Sequence, residues 1–347
     1  MHYVGVDLHK HSISVCAMIQ AGHSRRVAAR RRFRCADVEA IHAFFAELGS
    51  FEAVVEATAS YEWFVRLIEP LARRVVLAHP KKLRVIAESA KKSDKLDAQT
   101  LAEFLALDMV PPSWRPTPRV REHRTLVRLR YYTQRRITAT KNKLRRVLAD
   151  YNADIRPLFT KKGRRYLAHL EISEADRFHS QILFEELDQQ LDRRKRIDRR
   201  LNEFALAGSI AEREARGILG SIPGVGPVTI DVVLSEIGDI RRFNSQRKAT
   251  AYAGLAPGVR ESAGRTKHLG ITKEGSRLLR WALVQTAWRL VNRTRHWGFL
   301  YDKLKRRCGA KKAIVAVARR IWCVMVSMLK SGTEYRGAAK EALARPC

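Results

Sequence analysis

Acidic residues are scarce in this chain: 35 Asp and Glu stand against 67 Lys and Arg in 347 residues, a formal net charge of +32. The excess runs through most of the sequence instead of sitting in one tail, which makes a polyanion the natural partner. Long apolar runs are missing too. None approaches the roughly 20 residues needed to span a bilayer, so membrane insertion drops out and nucleic acid is left. Cysteine is sparse: Cys16, Cys35, Cys308, Cys323 and Cys347 are odd in number, far apart, and have no CxxC or Cys/His ligand spacing. That excludes a thiolate metal site and reads as reduced thiols of a cytosolic protein. The opening "MHYVGVDLHK" runs straight into a strand-like pattern, without the basic-then-apolar layout of a secretory signal. Apolar residues themselves are ample at 46%, enough to build the cores of two or three domains.

Along the chain, "HYVGVD" and "SISVCAMI" have strand length and patterning, "RVAARRRF" is a candidate third strand, and "DVEAIHAFFAEL" has helical spacing. "EAVVE" and "RVVLAH" are short buried strands separated by the helical "SYEWFVRLIEPLAR", and "SDKLDAQTLAEFLAL" is a helix with Ser93 as N-cap. Three strands followed by alternating helix and strand suggest an α/β domain with a ribonuclease-H-like sheet over residues 1–110. "VPPSWRPTPRV", with four prolines, reads as a linker. From Arg115 to Asp150 twelve Lys and Arg face two acids over a helical apolar spacing. A second long helix near 180–206 places Leu183, Leu187, Gln190, Arg194, Ile197, Leu201 and Phe204 at steps of four and three, the seam of a short coiled coil. Dimerisation and an internal helical hairpin both fit this middle segment, 111–207. The last segment, 208–347, is mainly helical. In "SIPGVGPVTI", Gly224 and Gly226 separate two helical stretches, as in a helix-hairpin-helix whose glycine turn lets backbone N–H groups approach a phosphate. A plain packing corner is the simpler account. "AYAGLAPGVRESAGRTKHLGITKEGS" is rich in glycine and polar residues, and the apolar helices beyond it read as a buried bundle.

Asp7 ends the first strand, Glu56 ends "EAVVE", and Asp94 and Asp97 share one face of the helix that follows "KKS". In a ribonuclease-H-like sheet these ends converge. Four carboxylates a few Å apart would repel, so the cluster makes sense with cations between them, and hard oxygen ligands favour Mg²⁺ or Mn²⁺. Two such ions can clamp a scissile phosphate, while Lys91, Lys92 and Lys95 would attract the backbone that supplies it. Singly, each acid has a blander account: Asp94 and Asp97 suit a helix N-terminus, and Glu56 could pair with an arginine.

"GVDLHKHSISV", "VVEATASYEW" and "KKSDKLDAQTLAEF" resemble the three acidic motifs of the RuvC-like domain of DEDD-type insertion-sequence transposases, the family of the pilin-gene invertases. "IPGVGPVTIDVVLSEIGDIRRF" and "AYAGLAPGVRESAGRTKHLGITKEGSRLLRWAL" resemble its transposase domain, so the resemblance covers nearly the whole chain. It implies a DNA recombinase, in some members guided by a bridge RNA, with a serine nucleophile in the second domain. The matching position is Ser262 in "RESAG", flanked by Arg260, Arg265 and Lys267, which suit phosphate contact. A loop serine bonding its own backbone is the ordinary alternative, and Ser276 reads as an N-cap. Ala59 and Ala263 depart from the family's usual glycine-containing patterns. The resemblance further implies a homo-oligomer acting on target and donor DNA, in the cytoplasm at the nucleoid of a prokaryote. The alternatives are a Holliday-junction endonuclease using water, a non-catalytic nucleic-acid-binding protein, and a sugar-kinase-like ATPase whose phosphate turn would have to contain His9, Lys10 and His11.

Overall fold

Alternation in "HYVGVDL" decides the first strand. Val4, Val6 and Leu8 of β1 (His2–Leu8) are buried on one side, which leaves Tyr3, Gly5 and Asp7 for the other. The computed structural model describes residues 1–21, 24–57, 61–83, 98–262 and 265–337, with backbone alone at 21, 259–262 and 265–268. The described chain falls into two compact units, Met1–Arg115 and Pro116 onward.

In the first unit β1 pairs antiparallel with β2 (Ser12–Ala21), and β2 with β3 (Ser24–Arg34). On its other flank β1 pairs parallel with β4 (Phe51–Glu56), which pairs parallel with β5 (Arg74–Ala78). The order β3-β2-β1-β4-β5 is consistent with the expected ribonuclease-H-like arrangement. Helices α1 (Val38–Glu47) and α2 (Tyr61–Ile68) cover one face, where Phe45, Phe51 and Phe64 pack with the β1 valines. Helix α3 (Ala98–Ala106) covers the other face through Leu101, Phe104 and Leu105. Part of the proline-rich stretch is not a free linker, because Pro112 bridges Ala78 of the edge strand β5 and Ser113 donates to the Leu77 carbonyl. Arg115 is clamped on Glu62 and Glu69 at 2.7–3.1 Å.

In the second unit the two long helices are α4 (Pro118–Ala149) and α6 (Glu174–Leu206), with the short α5 (Lys161–Ala168) between them. Thr117 and Ser173 cap the long helices by accepting from Val120 and Asp176 N–H. They form an internal hairpin: Leu144 and Leu148 pack with Leu183 and Leu187, and Thr140, Gln134 and Arg130 meet Gln190, Arg194 and Asp198 in turn. Rising numbers on one helix against falling numbers on the other make the pair antiparallel.

Helices α7 (Ile210–Gly220) and α8 (Pro227–Ile237) follow, joined by a turn in which Gly224 has φ 74° and Gly226 is the N-cap. After α9 (Gln246–Tyr252), the glycine-rich stretch is not a loop. It forms a two-stranded antiparallel hairpin, β6 (Pro257–Ser262) with β7 (Arg265–Ile271). Helices α10 (Arg277–Arg293), α11 (Arg295–Cys308) and α12 (Ala310–Ser331) close the unit around the buried Trp322, whose indole N–H donates to the Ala249 carbonyl at 2.9 Å. Ser276 caps α10 as expected, accepting from Leu279 N–H.

Candidate active site and nucleic-acid interface

Two of the four expected carboxylates lie at one sheet edge. Val6 of β1 pairs with Val55 of β4, and Asp7 and Glu56 are the next residues of these parallel neighbours. Because Val6 and Val55 both face the α1–α2 core, alternation turns Asp7 and Glu56 to the α3 face. Both are half-buried, and Glu56 makes no ion pair with another described residue. His9 Nε2 lies 3.1 Å from Asp7 Oδ2.

Gly5, two residues before Asp7, sets how closely α3 approaches. A Cβ at this position would fall 1.9 Å from the Ala98 carbonyl oxygen and 2.5 Å from the Ala102 nitrogen, so only glycine lets the first turn of α3 rest on β1. Gly5→Ala should therefore cost about 1–3 kcal/mol in overpacking, read as a lowered urea midpoint, and should impair any reaction that depends on where α3 begins.

Asp94, Asp97, Lys91, Lys92, Lys95 and the N-cap Ser93 lie outside the described residues, as do Ala59 and Ala263. Among the described residues no three His, Cys, Asp or Glu side chains group as a metal site. The donor chemistry present still suits a hard divalent cation: two carboxylates on adjacent strand ends, one of them without a cationic partner among the described residues. His79, not singled out in the sequence, follows Ala78, the β5 partner of Glu56, and its Nδ1 is buried without a hydrogen bond among the described residues. Neither His9 nor His79 has a signal in the sequence beyond its place after a strand.

In the second unit Ser262 ends β6 and is paired in register with Arg265, and Arg260 with Lys267. Gly224 and Gly226 stand at the α7–α8 corner. A Cβ on Gly224 would lie 3.3 Å from an Arg293 guanidinium nitrogen, and Arg289 donates to the Gly224 carbonyl at 3.4 Å. Much of the positive charge of α4 is already engaged inside the unit. Arg119 and Arg130 pair with Glu212 and Asp198, and Arg124 donates to the Ser235 and Glu236 carbonyls at the end of α8.

Two family models match the chain: "Transposase", of the IS110 DEDD type, over residues 4–153, and "Transposase IS116/IS110/IS902 family" over 216–302. Together they span more than half of it. The chain belongs to the IS110/IS116 family of DEDD transposases. Its relatives agree. The transposase for insertion sequence element IS1111A of Coxiella burnetii is 25% identical, over 97% of this chain and 92% of the relative. The transposase for IS1328 of Yersinia enterocolitica is 25% identical over 82% of each, and the pilin gene-inverting protein of Moraxella bovis is 22% identical over 96% of this chain and 97% of the relative. The IS110/IS116 chain is thus an insertion-sequence transposase, an enzyme that binds DNA and transfers its strands. No helix among the described residues is long and apolar enough to cross a membrane.

Proposed function

We propose that this transposase cuts and rejoins DNA by attack of the Ser262 hydroxyl on a phosphodiester, with Asp7, Glu56, Asp94 and Asp97 as the acidic site that serves it. The Oγ–P bond forms as a P–O bond to the DNA breaks; the serine gives up its proton and the departing DNA oxygen gains one. Reversal on a second strand end rejoins DNA without net hydrolysis. Mg²⁺ or Mn²⁺ held by the acids would neutralise phosphate charge and favour the ionised attacking oxygen. Asp7 and Glu56 present that charge from strand ends, and Lys91, Lys92, Lys95, Arg260, Arg265 and Lys267 draw in phosphates. The α7–α8 corner with Gly224 and Gly226 acts as a helix-hairpin-helix contact to the backbone. A structured non-coding RNA selects target and donor by base pairing, and the working form is a homo-oligomer at the nucleoid.

The observation that supports this reading best is the convergence at one edge of Asp7, Glu56 and the first turn of α3, whose Ala98 directly follows Asp97 in sequence. The test is covalent capture: protein, RNA from its own locus, Mg²⁺ and labelled DNA bearing the element ends, resolved under denaturing conditions. Wild type should carry labelled DNA on protein, and Ser262→Ala and Asp7→Asn should not. Cut DNA with no adduct, persisting in Ser262→Ala, would mean that water attacks and would replace this reading by a junction nuclease.

A further inference from the structure

We propose that the edge strand β3 is a phosphate lane that leads the DNA strand to be cut toward Asp7 and Glu56, an inference that rests on the reading of these acids as the reaction site. β3, "SRRVAARRRFR", carries six arginines and no acid in eleven residues. The register sorts them. Ser12 pairs with Arg34, Ser14 with Arg32 and Cys16 with Arg30. Ser14 in turn pairs with Asp7 of β1. Because paired residues share a face, Arg30, Arg32 and Arg34 lie on the same face as Asp7, whereas Ala29 and Phe33 on the opposite face pack against the apolar core. Three guanidinium groups thus recur every second residue, about 6.7 Å apart along the strand. The middle one stands two strands, about 10 Å, from the Asp7 backbone, with only the small Ser14 between.

Helix α3 does not cover this part of the face. All three arginines are exposed, and an open depression lined by residues 14–16 of β2, residues 30–32 of β3, Ala98 and Gln99 runs between β3 and the start of α3. Arg30 donates to the Gln99 side chain, which ties the lane to the first turn of α3. Arg34 has one long contact, 4.0 Å, to Asp37, and Arg32 has no ion pair with a described residue. A row of cations that, among the described residues, is lightly neutralised at the Arg34 end alone and whose middle member is level with Asp7 is complementary to a strand of phosphates that must pass the acids. Charged edge strands also serve to block strand-to-strand aggregation. That role asks only for charge on the edge, on either face, and makes no claim on DNA.

The test measures the salt dependence of full-length protein binding to a labelled duplex that carries the element ends, without divalent ions so that no reaction intervenes. Each phosphate contact contributes about 0.7–0.9 to the slope of log K against log salt. The triple variant R30Q/R32Q/R34Q should flatten the slope by about 2 to 3, R32Q alone by just under 1, and the triple Arg→Lys variant hardly at all. Arg31→Gln, on the same strand but the other face, should leave it near wild type. A wild-type slope in folded R32Q and in the triple variant would overturn the lane, as would flattening of equal size in Arg31→Gln. So would a loss confined to RNA binding. If Ser262→Ala still formed an adduct while the slopes fell as expected, the lane would stand and the serine assignment would fail.

Discussion

Replacing Asp7 by asparagine is expected to abolish strand transfer, by about 1,000-fold or more, while DNA binding and folding stay close to wild type. The change keeps the volume of the side chain and removes one negative charge. Asp7 sits at a strand end with its side chain 28% exposed, and substitutions at such places usually move stability by little. Its expected worth to the reaction is far larger. A divalent ion contributes several kcal/mol to a phosphoryl reaction, and each 1.36 kcal/mol is tenfold in rate, so losing about 4 kcal/mol gives the stated factor. Glu56→Gln should act alike. The double variant should be little worse than either single one, since groups that serve one site are not additive. His9→Ala removes only the contact that orients Asp7 and should cost about 10- to 100-fold, as orienting partners of ligands do. Single-turnover adduct formation on element-end DNA, beside a urea midpoint for each variant, checks all of this. A loss under tenfold in folded Asp7→Asn would remove that carboxylate from the reaction.

What could be read in advance follows from how local each signal is. The strand ends at Asp7 and Glu56 were legible because alternation and apolar runs are short-range patterns, and the sheet order then brings the two ends together. Ser276 as an N-cap was legible for the same reason. The β6–β7 hairpin around Ser262 was not, since its glycine and polar content carries no strand periodicity and its pairing supplies the order. The short α5 and α9 are likewise held by tertiary packing. Charge was the most misleading signal. Twelve basic residues from Arg115 to Asp150 look like one surface, yet many of them meet acids or carbonyls supplied from far along the chain. The β3 arginines look like a mere composition bias until the register with β2 sorts them by face. The sequence also left open whether the long helices pair within or between chains, and the antiparallel packing of α4 on α6 within this chain shows that the hairpin forms.

The second large effect is expected at Asp231, where Asp231→Ala should destabilise the second unit by about 3–5 kcal/mol. Asp231 is buried on α8. Its Oδ1 receives Arg216 of α7 at 2.8 Å and faces His123 Nε2 of α4 at 2.9 Å. Arg216 also holds Glu212, which accepts from Arg119 at 2.6 Å, and the Arg119 guanidinium lies 3.9 Å over the Phe204 ring of α6, on which His123 stacks. Four helices therefore meet on one polar cluster, and removing the central carboxylate leaves a largely buried guanidinium and a buried imidazole short of a partner. The exposed pair Arg164–Asp188, 2.7 Å apart, makes the comparison: Asp188→Ala should cost only about 0–1 kcal/mol, because water solvates whichever charge remains. Acid should weaken the same cluster. Burial pushes the Glu212 carboxyl up, but the hydrogen bonds and charges of Arg119 and Arg216 outweigh it and hold its pKa below the ordinary glutamate value. A depressed folded-state pKa contributes stability above the unfolded pKa and loses it as pH falls through the folded one. Stability should thus decline on acidification below the ordinary glutamate range, and Glu212→Gln should lessen that decline. Urea midpoints for Asp231→Ala, Asp231→Asn and Asp188→Ala at neutral pH, with an acid series for Glu212→Gln, decide the matter. An Asp231→Ala loss under about 1 kcal/mol would mean that the cluster is solvated and holds nothing together.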